Sequence, residues 1–462
     1  MDYSLIRPKG ARLKTFGGRA SGPGPLQQLC KFTVSTFSQA RSRRLHSSEL
    51  SDIGCMVAQC VVVGGVRRSA CIILCNLSDL RMRHYKSGDW RSTHPHRAYA
   101  NISVAYTERP EADQFLEEWL ALMRNGSGER GIINREGIIA GTTRSMGEDC
   151  GVNPCGEVLL RKRQFCNLTE VVARPDDTME TLKDKVKAAT ILGTLQSTLI
   201  DFKFLNSDWV NNTKEERLLG VSITGCMDHL SLGYDVISDP SILVELKTVA
   251  HATNKKWAKA LGIPESKAIT CVKPSGTVSQ LVNSSSGLHA RFAKYYVRRV
   301  RVTATDPLCI YMKDAGVPWE PEVGESRDQH TTVVFEFPIE APVSSEMRDN
   351  LSAIDQLEIW LAYKEHWCDH NPSVTIHLKE DEWIEAAAWV YEHWDNIAGL
   401  SFLPYDGGNY PLMPYEEIEK DEYDSLRSSF PELDFSNLTH YEETDNTQGS
   451  RELACVAGSC EI

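Results

Sequence analysis

Apolar residues recur at helical spacing in some stretches of the chain and alternate with polar ones in others. Residues 1–25 are rich in Gly and Pro and predict irregular structure with turns at Gly17-Gly18 and Gly22-Pro23-Gly24. Helical spacing predicts helices over 26–45 and 48–63. Residues 102–106 read as a short strand. The next helix, 111–124, has an acidic first turn, apolar Phe115, Leu116, Trp119, Leu120 and Met123, and Gly126 as its C′ residue. A long helix begins at Asp176 or Asp177 as cap, with a stripe of Leu182, Val186, Ala189, Leu192 and Leu195. Residues 219–224 predict a buried strand, 241–261 a helix stopped by Gly262 and Pro264, and 268–272 a short apolar strand. Strands follow at 295–302, 332–337 and 373–378, with a Trp-rich helix over 381–396 ending before Gly399. Helices and strands alternate throughout, which signals an α/β architecture. From about residue 416 the chain turns acidic and serine-rich, and from about 440 a mobile tail is expected.

Composition narrows the class. The 462 residues are 41% hydrophobic and 24% charged, the proportions of a soluble globular protein with a large core. A net charge of −13 argues against nucleic-acid binding, although a triphosphate needs only a local electropositive pocket. Fourteen cysteines are too few for a disulfide scaffold in a chain of this length and predict mostly reduced core thiols. No apolar run approaches the roughly 20 residues that span a bilayer, and the start lacks a secretory pattern. A cytoplasmic protein with no membrane or nucleic-acid partner is expected.

The stretch with the most chemistry is Asn153-Pro154-Cys155-Gly156-Glu157, followed by Phe165-Cys166-Asn167-Leu168. Pro154 fixes its own φ and Gly156 permits left-handed geometry, so a rigid loop can aim Asn153, Cys155 and Glu157 at one point, as alternate side chains of an extended segment. That combines a thiol, a potential base and a neutral hydrogen-bonding group. A second candidate is Lys273-Pro274-Ser275-Gly276-Thr277 after the strand at 268–272, where backbone N–H groups and hydroxyls suit phosphate. A third is the glycine loop Gly64-Gly65 with Arg67 and Arg68, whose planar guanidinium groups offer bidentate donors. Cys71 and Cys75 have no second pair at zinc spacing, and His84, His94 and His96 have no carboxylate cluster, so no metal site is expected.

Taken together, these blocks resemble ribonucleotide reductases, most closely the adenosylcobalamin-dependent class in its monomeric, ribonucleoside-triphosphate-reducing form. The resemblance also includes Arg7-Pro8-Lys9-Gly10, Asn134-Arg135-Glu136 and the ending Cys455-Val456-Ala457-Gly458-Ser459-Cys460, in family order. It implies an incomplete ten-stranded α/β barrel with the 153–166 finger loop threaded through its centre, formed by residues 1–430, and a redox tail over 431–462. It implies that Cys155 carries a thiyl radical, Glu157 accepts the 3′-OH proton, Asn153 holds the sugar hydroxyls and Cys166 is one member of the reducing dithiol. Pro274, Ser275, Gly276 and Thr277 would grip substrate phosphates, and Gly64, Gly65, Arg67 and Arg68 would form the specificity loop. Cys455 and Cys460 would re-reduce the active site and pass the oxidation to a thioredoxin-like donor. Adenosylcobalamin is the implied cofactor and a ribonucleoside triphosphate the implied substrate.

The sequence departs from the family in one large respect. The partner thiol of Cys166 lies, in the family, upstream of the block that here begins at Arg7, so a separate N-terminal reductase chain is a possible partner. Without it, no sustained turnover is expected of this polypeptide. Smaller departures are Ile102, where a second Asn is usual, and Arg130, where Pro is usual. A catalytic portion of a reductase and a non-catalytic interaction half both remain open. A large subunit served by a diiron partner fits less well, because no tandem tyrosines stand near the C-terminus and the spacing of Cys155 to Cys166 favours the cobalamin class.

Overall fold

Short apolar runs whose two faces are both covered build the centre of the molecule. The computed structural model describes residues 1–9, 11, 20, 22–61, 70–304, 306–322, 325–330, 332–405 and 412–441. Its strands are β1 (Cys71–Cys75), β2 (Ala100–Tyr106), β3 (Gly131–Asn134), β4 (Gly151–Val152), β5 (Leu159–Leu160), β6 (Asn167–Val172), β7 (Leu219–Thr224), β8 (Tyr295–Thr303), β9 (Trp319–Pro321), β10 (Thr332–Glu340), β11 (Thr375–Leu378), β12 (Gly399–Pro404) and β13 (Tyr415–Glu417).

The main sheet has the order β1-β2-β3-β12-β11. Strands β1, β2 and β3 are mutually parallel, as are β11 and β12, and the two groups meet antiparallel where Ile133 pairs with Gly399 and Ile132 with Leu400. The run continues beyond β11. Pro372 bridges to Val272, Thr270 bridges to Val221 of β7, and β7 pairs with β6, each in parallel. Eight extended segments therefore follow one another, with β1 and β6 at the two ends. A second, antiparallel sheet of order β13-β8-β10-β9 lies apart from this run; its buried Val333 and Phe335 pack on Cys309, Tyr311 and Met312 of the helix Pro307–Asp314.

One apolar core joins most of the run, while β1 packs in a separate cluster with Met82, Tyr85 and Ile102. The larger core joins Val104 and Ile132 of the main sheet to Val171, Val221 and Ile223 of β6 and β7. Helices supply the rest: Trp119 lies edge-on to Phe402, with ring centres 4.8 Å apart, and its indole N–H donates to Trp383 O at 2.9 Å. Burying such an aromatic contributes several kcal/mol before its entropy cost is counted, about 25 cal/mol per Å² of apolar surface.

Most expected elements are present, with corrections. The helix 111–124 forms as Ala112–Asn125 and ends on Gly126 at φ +66, and 241–261 forms as Ser241–Leu261 ending on Gly262 at φ +67. The first helix stops at Gln39, well short of 45, and the second spans Ser47–Val61. The long helix is Met179–Gln196, and Thr178, not Asp176 or Asp177, caps it through a reciprocal capping box with Thr181. Asp177 accepts instead from Arg174 N and Thr181 Oγ1. In its stripe Leu182, Val186 and Ala189 are buried, whereas Leu192 and Leu195 face outward. Residues 268–272 hold only isolated bridges at Thr270 and Val272, because each flanking strand meets them at a single residue. The acidic stretch after 416 contains the helix Lys420–Ser429, and the 3-10 turn Phe435–His440 leans Phe435 on Tyr311. Among the described residues no helix is long and apolar enough to cross a membrane.

Candidate active site

Strands β4 and β5 pair antiparallel and carry residues 153–158 at their tip. The loop is a tight hairpin turn, not the extended segment expected from alternating side chains. Gly156 N donates to Asn153 O at 2.9 Å, Asn153 N donates to Val158 O at 3.2 Å, and Gly156 takes φ +81, a region where a Cβ would be strained. The Asn153 side chain serves the turn as well, its Oδ1 accepting Val158 N at 2.9 Å.

The hairpin is held by polar groups from distant strands. Asn371, almost fully buried, donates its backbone N–H to Glu157 O at 3.1 Å and its Nδ2 to Gly156 O at 3.1 Å. Ser373 donates its hydroxyl to Cys155 O and its N–H to Val272 O at 2.9 Å. Across the tip, Asn101 of β2 donates Nδ2 to Pro154 O at 3.1 Å. At the base, His370 accepts Leu159 N on Nδ1 at 3.2 Å and donates Nε2–H to Leu219 O at 2.9 Å. Burial pushes this imidazole down to about 3, so it stays neutral and keeps the one tautomer that serves both bonds.

These anchors set the reactive groups. Cys155 lies on the wall of a cavity of about 280 Å³, with Asn101 and Ser373 beside it and Ile133, Leu400 and Phe402 on the apolar side. Lys273 Nζ stands 3.0 Å from Glu157 Oε1 and 3.7 Å from Cys155 Sγ. Glu157 is completely buried, and its second oxygen, Oε2, has no hydrogen-bond partner. A buried carboxylate oxygen left open in this way is expensive unless a ligand donor fills it.

Cys166 enters β6 one residue ahead of Asn167, and its sulfur faces Gly220 of β7. A Cβ at Gly220 would stand 3.1 Å from Cys166 Sγ and 3.2 Å from Cys271 Sγ, so two thiols converge on the space that this glycine leaves empty. Burial first, and the Glu157 charge second, push both thiols well up from the ordinary cysteine range. The 273–277 loop follows directly. Ser275 is buried and donates to Glu170 Oε2 at 2.7 Å, while Gly276 opens the short helix Gly276–Leu281. Burial raises the Glu170 carboxyl to about 7, and the Glu157 charge adds to the shift. The side chain of Thr277 lies outside the described residues, as do Gly64, Gly65, Arg67, Arg68, Cys455 and Cys460. The structure thus brings Cys155 and Glu157 together on Lys273, with Cys166 and the Ser275–Glu170 pair within reach of the same charges, and Pro274 and Gly276 following Lys273 in the chain.

The fold is similar to that of a solved structure, a B12-dependent (class II) ribonucleotide reductase, with a TM-score of 0.76 at 23% identity over 95% of this chain and 64% of that one. The fold is that of the class II ribonucleotide reductases. A class Id reductase alpha subunit from Actinobacillus ureae matches more loosely, with a TM-score of 0.55 at 11% identity over 78% of this chain and 74% of that one. In sequence, the chain is similar along its whole length to the adenosylcobalamin-dependent ribonucleoside-triphosphate reductases of Lactobacillus acidophilus and Lactobacillus gasseri, at 29% identity to each. The resemblance seen in the finger-loop blocks therefore extends over all of this chain. The chain spans 66% of the length of each of these two relatives. No family model matches.

Several residues of the site escape a reading of the class II blocks. Asn371 carries no mark in the sequence, Ser373 appears only as the first residue of the expected strand 373–378, and Cys271 only as one of the expected core thiols. Lys273 is visible only as the first letter of the phosphate block. The one signal in the sequence is the alternation 269-271-273, which puts Cys271 and Lys273 on the same side of an extended segment.

Proposed function

We propose that this chain carries the catalytic core of an adenosylcobalamin-dependent ribonucleoside-triphosphate reductase, converting a ribonucleoside triphosphate and two thiols to the 2′-deoxynucleotide, a disulfide and water. The observation that carries this reading is the Cys155 thiol, fixed at the hairpin tip on a cavity wall and joined through Lys273 to Glu157, whose second oxygen is buried without a partner.

Hydroxide leaves an unactivated carbon poorly. Removal of the 3′ hydrogen atom first makes the neighbouring 2′ C–O bond labile, and a sulfur radical at Cys155 can take that atom and later return it. Glu157 Oε2 accepts the 3′-OH proton as the radical forms. Asn153, with Oδ1 committed to the turn, has its amide N–H groups for a sugar hydroxyl. Pro274, Ser275, Gly276 and Thr277 hold the triphosphate, with Ser275 exchanging Glu170 for a phosphate oxygen. Cys166 supplies one of the two thiols that become the disulfide, and Cys455 with Cys460 return it to the reduced state at the expense of a thioredoxin-like donor. Gly64, Gly65, Arg67 and Arg68 relay substrate identity. A separate N-terminal reductase chain, a cytoplasmic setting, and a 1–430 catalytic unit with a 431–462 tail complete the proposal.

The cavity fits the cofactor's requirement. Ile133, Leu400 and Phe402 give the wall beside the thiol an apolar side, and Asn101 and Ser373 give it a polar one, so the residues present could hold both the apolar and the polar parts of a bound group. When bound, adenosylcobalamin supplies a carbon-centred radical by homolysis of its cobalt–carbon bond.

The test is adenosylcobalamin cleavage by the purified chain with ATP and a dithiol, followed by absorbance and electron paramagnetic resonance. Cleavage to cob(II)alamin is expected with the native chain and should be lost in Cys155→Ser. Equal signals from both, or none from either, would overturn the reading.

A further inference from the structure

We infer that Lys273 is a positioning residue that acts on the Cys155 thiol and the Glu157 carboxylate together, fixing both side chains through one ammonium and tying them to the phosphate loop. The inference deepens the proposed reaction by giving this site a residue that its class II blocks do not assign.

The geometry is specific. One ammonium lies 3.0 Å from Glu157 Oε1 and 3.7 Å from Cys155 Sγ, so a single cation touches the proposed base and the proposed radical carrier. Glu157 is wholly buried, and the Lys273 side chain is only 21% exposed. A bare carboxylate there would be strongly disfavoured without a cation. The contact occupies Oε1 and leaves Oε2 open, which separates the charge-holding oxygen from the proton-accepting one.

The lysine is also well fixed at its root. Its backbone N–H donates to the buried Ser222 Oγ at 2.9 Å. Its carbonyl is crowded by Gly287, where a Cβ would come within 2.6 Å of Lys273 O at φ +56. Ser373 then bonds both Val272 O and Cys155 O, so lysine backbone and cysteine backbone share one anchor. Pro274 follows at once, so any movement of the phosphate loop is felt by the ammonium. Preorganisation of this kind is what keeps a catalytic contact within reach of its target.

Other groups face the pair. Cys166 and Cys271 approach Glu157 from β6 and from the 268–272 segment, and Glu170 approaches it from β6. Lys273 is the cation that all of them share. A cation beside a thiol favours the thiolate, and a carboxylate opposes it.

The experiment needs neither nucleotide nor cofactor. The full chain is treated with iodoacetamide at pH 8, and modification of Cys155 is followed by peptide mass spectrometry. Lys273→Met should slow modification of Cys155 about tenfold, Lys273→Arg should restore most of the rate, and Glu157→Gln should speed it. A merely structural lysine would give the opposite sign, since loosening the hairpin exposes the thiol and accelerates its reaction. Circular dichroism establishes that each variant is folded. An unchanged or faster rate in folded Lys273→Met would overturn the inference. If the rates shift as expected while cobalamin cleavage proves independent of Cys155, the tether stands and the reductase reading falls.

Discussion

Arg130 grips Glu118 at two points, Nε to Oε1 at 2.6 Å and Nη2 to Oε2 at 2.5 Å, with both side chains almost wholly buried. The remaining guanidinium donors reach the carbonyls of Asn76, Leu77 and Asp79. Arg130 therefore binds the entry of β3 to the helix Ala112–Asn125 and to the loop after β1. The residue that departs from the usual Pro is thus a brace, directed away from the finger hairpin. Arg83 Nε also reaches Glu118 Oε2 at 2.7 Å, so Arg130→Met leaves the carboxylate one cation but strips it of a bidentate partner and the three carbonyls of their donor, and should destabilise the chain by about 1–3 kcal/mol. Urea unfolding measures the loss, and a variant as stable as the native chain would count against the brace.

Gly220→Ala places a methyl 2.5 Å from Leu168 Cδ2 and just over 3 Å from the Cys166 and Cys271 sulfurs. All three are side-chain atoms that can yield, so the expected stability cost is only about 1–3 kcal/mol. With the separate N-terminal reductase chain supplied, cobalamin-supported dATP formation should fall much further than stability, because the methyl fills the space into which the Cys166 sulfur turns. Parallel unfolding and product assays check the contrast; losses of equal size would count against a role for that space.

Glu170 predicts a pH effect with a definite sign. Its carboxyl is raised from 4.5 to about 7 by burial, so the folded chain holds a proton that the unfolded chain releases. The stabilising contribution is complete below pH 4.5 and is lost as pH rises through 7. Glu170→Gln should match the native chain near pH 4.5 and exceed it by about 2–3 kcal/mol at pH 8. Urea midpoints at the two pH values decide this, and a variant less stable than the native chain at pH 8 would refute it.

The parts legible in sequence are those with local causes. The helices ending on Gly126 and Gly262 show their period and their stop within one segment. The Asn153–Glu157 turn announces itself through Pro154 and Gly156. Strands β1, β3, β6 and β12 leave no such trace, since short runs buried or half-buried on both faces do not alternate. Leu192 and Leu195 complete a helical stripe on paper yet face outward, because Gly193, not a leucine, is the close neighbour of Leu219 on the sheet. The anchors Asn371 and Ser373 are invisible for a different reason. Each acts on a backbone more than 200 positions earlier, and a lone polar residue carries no mark of so distant a partner.

The antiparallel junction of β3 with β12 rests on two residue pairs, supported by Asn134 Nδ2 donating to Trp394 O across 260 positions of chain. That separation has a kinetic meaning. Strands β1 to β3 can associate early from nearby sequence, whereas joining them to β12 closes a loop of more than half the polypeptide, against the corresponding entropy. During synthesis the finger hairpin is made long before Asn371 and Ser373 exist to hold it. The Cys155 thiol therefore lacks these anchors until the chain has been made past Ser373, and the seam cannot close until Gly399 and Leu400 follow.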